Sequence, residues 1–316
     1  MLEYGEPISI EVLPEIPTKY PTIDDLVDVP KTFANKIIKS IKNEGLYKRY
    51  GVKPSKSFLI NGLPGTGKTF TMKALNNTIN NDLTGFITTP EDVREAIDLF
   101  DVKFVKYDVG EYGTAFINRG SRIIQTFFDK AFQYSLDSPV VIEIDEADAI
   151  LSSRSLDTHS EDRKNLETLM KNLQVANDTD GIYVVLMTNL KKYIDPAVLR
   201  AGRIDKHYIF PLPDENARKE LFQHIIDTKN KNANYKIIRK YDLNKLSKLT
   251  DNFSYADISS VIEKSLENKV EEFIDKRKQL KADYRGFITE KGLEEEIEKH
   301  KNEFGIESGS DSKFII

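Results

Sequence analysis

Ser57-Phe58-Leu59-Ile60-Asn61-Gly62-Leu63-Pro64-Gly65-Thr66-Gly67-Lys68-Thr69 is the stretch on which the reading of the fold turns. Its first five residues read as a short buried strand, and residues 62–69 satisfy the spacing GxxxxGK[ST] just before a helical pattern begins. Strand, glycine-rich turn and helix in that order describe a phosphate-binding loop. Glycines let backbone N–H groups turn inward around phosphate oxygens, and the following helix presents the positive end of its dipole to the same charge. On this reading Gly62, Leu63, Pro64, Gly65, Thr66 and Gly67 wrap the phosphates of a nucleotide, Lys68 reaches the terminal ones, and the Thr69 hydroxyl ligates Mg²⁺.

Outward from this loop, three further apolar runs, residues 102–107, 140–144 and 182–187, alternate with helical patterns carried by Ile123, Ile124, Phe127, Phe128 and Ala131, and by Leu166, Leu169, Met170 and Leu173. Strand alternating with helix predicts an α/β domain, a parallel sheet with helices on both faces. Residues 1–30 contain Pro7, Pro14, Pro17, Pro21 and Pro30 and read as an extended lead-in. A helix from Lys31, on Phe33, Ile37, Ile38 and Ile41, is expected to end near Gly45. After Pro211 to Pro213 the strand signals stop and only helical ones remain, over 217–226, then through Ile258, Val261, Ile262, Leu266, Val270 and Phe273, then Leu293 and Ile297. Ser254-Tyr255-Ala256-Asp257 opens the long helix as a capping box. The expected organisation is therefore a lead-in (1–30), a large α/β domain (31–211), a small all-α lid domain (212–303) and a disordered, Ser-rich tail (304–316).

Composition removes several chemistries. The 316 residues include no Cys and four widely spaced His, so thiol nucleophiles, disulfides, Cys-ligated zinc and an HExxH pair are excluded, and any metal must be held by oxygen. No apolar run approaches the roughly 18 residues of a membrane helix. The acidic start Met1-Leu2-Glu3-Tyr4-Gly5-Glu6 lacks the apolar segment of a secretory signal, so a cytoplasmic protein is expected. With 46 Lys and Arg against 51 Asp and Glu, net charge −5, there is no basic stripe to favour nucleic acid.

Val140 to Ile144 delivers Asp145 and Glu146 at a strand's C-terminal end, where parallel sheets bind ligands. Asp145 suits Mg²⁺, and Glu146 suits polarisation of an attacking water. Ile182 to Met187 ends in Thr188-Asn189, whose amide can hydrogen-bond a γ-phosphate and that water together. Glu143 is out of keeping, a carboxylate in a strand expected to be buried on both faces; an edge position or a neighbouring cation would account for it.

In order and spacing these motifs resemble the AAA ATPases, in the clade of valosin-containing protein, proteasomal ATPases and membrane AAA proteases, from about Ile23 to about Leu266. Gly51-Val52-Lys53-Pro54 precedes the loop as in that family. Asp145-Glu146-Ala147-Asp148-Ala149-Ile150 looks like its Walker B segment with Arg154 behind it, Asn189 matches sensor 1, and Ile194 to Asp205 resembles the second region of homology. The resemblance implies that Arg200 and Arg203 reach a neighbouring subunit's nucleotide site and that the chain forms a homohexamer. It also implies that Phe116 and Ile117, with His159 in a second loop, grip substrate in a central pore, and that Ala256 lies at the adenine. Departures include Asn118 where the pore motif has glycine, Tyr255 where the lid helix has glycine, Asp25-Leu26-Val27-Asp28 without the family's glycines, His224 one place from a ribose-contacting histidine, and an added piece over residues 80–100 with a helix start at Thr89-Pro90.

The function so implied is a Mg²⁺-dependent, ring-forming ATPase that unfolds or remodels proteins. Two other readings share the ATP chemistry: a nucleic-acid motor or loader, and an ATP-gated scaffold with little turnover. Only about 30 residues precede the expected ATPase module and no HExxH follows it, so substrate choice is expected to lie in an adaptor, the added piece or the tail.

Overall fold

A computed structural model describes residues 21–81, 102–108, 120–151, 160–189, 194, 198, 202–233, 236–277 and 287–306. The described residues divide into two compact units, one within Met1–Gly62 and Lys68–Phe210, the other within Leu63–Gly67 and Pro211–Ile316.

The first unit is built on five parallel strands, β1 (Ser57–Gly62), β2 (Lys103–Asp108), β3 (Val140–Asp145), β4 (Ile182–Thr188) and β5 (Lys206–Phe210), in the order β2-β3-β4-β1-β5. Alternating side chains feed two separate layers. Leu59, Val105, Ile142 and Val184 pack with Phe127 and Phe128 of α4 (Gly120–Tyr134), and with Leu169 and Leu173 of α6 (Ser160–Asp178). Phe58, Ile60, Val141 and Val185 pack with Phe33 and Ile37 of α1 (Asp28–Lys42), and with Met72 and Leu75 of α3 (Lys68–Asn81). Burial on both faces is why β1, β3 and β4 read as mainly apolar runs, broken in β3 by Glu143. The expected parallel sheet with helices on both faces is borne out.

Among the described residues the sheet has one strand more than the sequence predicts. β5 pairs from Phe58↔Lys206 to Gly62↔Phe210, and of its residues only Phe210 is fully buried. An edge strand covered on one side carries no apolar run to announce it. Residues 23–30, expected to be extended, are instead a 3₁₀ turn (Ile23–Asp25) capped by Thr22 and then the first turn of α1. Pro30 is tolerated there because the first helical turn needs no N–H from it. Leu26 and Val27 are buried, and Phe33 meets Phe58, Tyr208 and Phe210 edge-on at 5.8, 5.1 and 5.7 Å between centroids. A short helix, α2 (Glu44–Arg49), follows, and Glu44 accepts from Tyr183 Oη (2.8 Å) and pairs with the buried Lys56 (2.9 Å).

The second unit is helical, with α7 (Glu215–Asn232), α8 (Leu243–Leu249), α9 (Tyr255–Arg277) and α10 (Glu290–Phe304). Asp214 caps α7, and the buried Arg218 guanidinium donates to Pro213 O, Ser247 O and Asp251 at 2.8, 2.9 and 3.2 Å. The expected capping box on α9 is formed in both directions: Ser254 N–H donates to Asp257 Oδ2 (2.7 Å) and Asp257 N–H to Ser254 Oγ (3.2 Å). α10 runs one residue into the expected tail and stops at Gly305, whose φ of 63° is left-handed. No helix among the described residues is long and apolar enough to cross a membrane.

Candidate active site

β1 ends on Gly62 and α3 begins on Lys68, so residues 63–67 must reverse the chain within five positions. Gly65 (φ 79°) and Gly67 (φ 87°) make the reversal in the left-handed region that side chains disfavour. Thr66 closes the turn, its N–H and Oγ1 both donating to Leu63 O at 3.3 and 2.8 Å. The buried Lys68 ammonium donates to Gly62 O and to Asn189 Oδ1, each at 2.7 Å. Burial lowers its pKa, against the opposing pull of Asp145 and Asp148. A lysine already stripped of water loses less hydration on meeting phosphate.

Parallel register gathers the other groups. Asn61 pairs with Thr188 and Ile144 with Leu186, so Gly62, Asn189 and Asp145 leave three adjacent strands at the same end of the sheet. Asp145 Oδ2 lies 3.3 Å from Thr69 Oγ1 and 3.8 Å from Lys106 Nζ, while its Oδ1 accepts the Glu146 N–H at 2.9 Å. A hydroxyl and a carboxylate this close, both hard oxygen donors, fit Mg²⁺. Glu146 is exposed and holds φ 50°, a left-handed conformation that costs a non-glycine residue about 1 kcal/mol. The turn is held beyond it: Ala147 N–H donates to Met187 O (2.8 Å), and Thr188 Oγ1 to Asp148 Oδ1 (3.0 Å) at the start of α5 (Asp148–Leu151).

Arg203 lies elsewhere. Asn177 on α6 donates to Gly202 O (3.2 Å) and Arg203 O (3.1 Å), and two residues on the Asp205 N–H donates to Ser57 O (2.9 Å). Ser57 begins β1 and Gly62 ends it, five steps or about 17 Å away along the strand. Arg203 therefore stands at the opposite end of the sheet from its own chain's phosphate loop, beyond the reach of its side chain. Ala256, in the helical unit, donates its N–H to Gly65 O at 3.2 Å. Arg200, Arg154, Phe116, Ile117, His159 and the helix expected at Thr89-Pro90 lie outside the described residues.

The sequence reading missed Lys106 as a partner of Asp145 and left Glu143 unplaced. β2 pairs Lys106 with Glu143, giving that carboxylate a cation in the adjacent strand. Glu143 is 4% exposed, and burial pushes its pKa up to about 7, opposed by Lys106 and reinforced by Asp145. Each residue breaks an apolar strand, which was a usable signal; which residue it would face was not. The folded chain holds the Glu143 proton up to about pH 7, whereas the unfolded chain releases it near the ordinary value of 4.5. Its contribution is therefore fully present below about pH 4.5 and lost as pH rises through 7. In metal-free buffer Glu143→Gln is expected to match wild type near pH 4.5 and to be more stable by up to about 3 kcal/mol at pH 8. Urea midpoints across pH measure this, and a gap independent of pH would contradict it.

A glycine loop closing on a helix N-terminus, with a carboxylate pair and an amide at neighbouring strand ends, defines a P-loop nucleotide-binding domain. Residues 58–212 match the model of the "ATPase family associated with various cellular activities (AAA)". The chain is 32% identical over 257 residues to a proteasome-activating nucleotidase of Methanopyrus kandleri, an overlap covering 80% of this chain and 52% of that one. A proteasome-activating nucleotidase of Saccharolobus solfataricus is 29% identical over 256 residues (80% and 58%), and one of Methanothermobacter thermautotrophicus 28% over 260 (80% and 55%). The chain thus carries an AAA ATPase domain and is homologous to proteasome-activating nucleotidases, as the motif resemblance led us to expect. It spans about half the length of these relatives.

Proposed function

We propose that this chain is a Mg²⁺-dependent ATPase that assembles head to tail into a homohexameric ring and uses hydrolysis to unfold or remodel proteins. The observation that carries the assembly is the position of Arg203. An arginine on the γ-phosphate in the transition state contributes about 10³ to 10⁵ in rate. This one stands at the wrong end of its own sheet to do so, and a head-to-tail contact that closes on itself lets each subunit lend it to the next.

Within the site, the loop N–H groups and Lys68 hold the phosphates, and Thr69 and Asp145 hold the metal. Mg²⁺, when bound, neutralises phosphate charge. Glu146 accepts a proton from the attacking water, and Asn189 orients that water against the γ-phosphate. Arg200 of the neighbour acts beside its Arg203. The relatives are named for proteasome activation, which favours protein over nucleic acid as the polymer acted on, reached directly or through an adaptor in the cytoplasm. Phe116, Ile117 and His159 are the residues proposed to grip it.

The test is ATP turnover per subunit against protein concentration, with mass measured by light scattering at each point. Turnover should collapse as rings dissociate to monomers. A rate per subunit that stays constant down to the monomer would sink the ring mechanism.

A further inference from the structure

His300 is 2% exposed on α10, its ring 5.2 Å from Phe253 and 4.6 Å from Phe304 between centroids. Its Nε2 lies 3.0 Å from Asp257 Oδ1, and its Nδ1 is buried with no hydrogen-bond partner among the described residues. A leucine would fill this apolar site without an unsatisfied ring nitrogen, so the imidazole is justified by its polar contact, an Nε2–H donated to the Asp257 carboxylate.

Asp257 passes that contact on. Its other oxygen takes the Ser254 N–H and its own N–H meets Ser254 Oγ, closing the α9 cap. Burial disfavours the Asp257 carboxylate, but the bonds from Ser254 and His300 outweigh it and hold its pKa below the ordinary value. The cap rests on the phosphate loop. Ala256 N–H donates to Gly65 O, and a Cβ added to Gly65 would lie 2.4 Å from Ser254 Oγ and 3.3 Å from Ala256 Cβ. Loop residues 63–67 belong to the same compact unit as α9 and α10, so the whole path lies within one unit.

We infer that His300 is a positioning residue for the nucleotide site: through Asp257 it fixes the α9 cap, the cap fixes the backbone at Gly65, and the seating of α10 thereby sets how tightly the loop holds nucleotide. This rests on the reading of residues 62–69 as the nucleotide loop.

The test compares His300→Leu, which keeps the packing, with His300→Gln, whose amide can still donate to Asp257, both in the full chain. Amide hydrogen exchange at Gly65, Thr66, Gly67 and Ala256 is read without nucleotide, and the Kd for MgADP by calorimetry. His300→Leu should speed that exchange and weaken MgADP binding, each by about 10-fold, and His300→Gln should restore most of both. kcat at saturating ATP should change by no more than about twofold. If His300→Leu does not fold, His300→Asn, too short to reach Asp257, takes its place. A variant that lowers the thermal midpoint but leaves loop exchange and MgADP affinity as in wild type would overturn the inference, as would failure of His300→Gln to rescue. A wild-type chain that bound no MgADP would defeat the nucleotide reading instead, while the exchange comparison would still decide whether His300 holds the loop.

Discussion

Arg203→Ala is expected to lower ATP turnover of the assembled protein by about 10³- to 10⁵-fold, or about 4 to 7 kcal/mol in the barrier, while nucleotide binding to the variant's own loop stays within a few-fold of wild type. Binding is spared because Arg203 sits beside the start of β1 and Lys68 beyond its end, so the substitution touches nothing in its own phosphate loop. The proposed site takes Glu146 from one subunit and Arg203 from the next. Mixing inactive Arg203→Ala subunits with inactive Glu146→Gln subunits should therefore recover activity, because some junctions pair an intact Glu146 with an intact Arg203. Mixed rings that remain as inactive as either parent, with assembly verified, would show that the arginine does not act in trans.

Glu146→Gln should reduce hydrolysis by about 10²- to 10⁴-fold and leave MgATP binding intact, since the amide cannot accept the water's proton yet keeps the size of the side chain. The left-handed backbone at this position is retained in the variant because Ala147 and Asp148 anchor the turn from outside it. Single-turnover hydrolysis of labelled ATP, beside a binding titration, separates the two effects. A Glu146→Gln variant that hydrolysed at the wild-type rate would remove Glu146 as the base. One that lost ATP binding would assign it to the binding machinery. Protein retained on ATP-loaded Glu146→Gln rings would identify the substrate or adaptor.

Much of the architecture was legible in the chain because its signals are local. Apolar runs mark β1, β3 and β4, since strands buried on both faces cannot carry polar side chains without cost, and glycine spacing marks the loop between β1 and α3. β5 was not legible, being short, exposed on most of its length and recognisable only by the partner it lies against. The start of α1 was hidden by Pro30, which reads as a breaker in sequence and is harmless in a first turn.

By itself, then, the sequence determined the motifs and their order: residues 62–69, Asp145-Glu146, Asn189, the arginine segment, and the capping box at Ser254. These are matters of spacing over a few residues, where backbone conformation and hydrogen bonding are set by neighbours in the chain. The tertiary structure alone decided which of them meet. It set Lys68 on Asn189 across 121 positions and Thr69 on Asp145 across 76, placed Arg203 at the far end of the sheet, gave Glu143 its lysine, and linked His300 to the loop through Asp257. The physical reason is that such encounters depend on strand order, parallel register and helix packing. Those are settled by burying whole layers of apolar surface at once, not by any short run of residues.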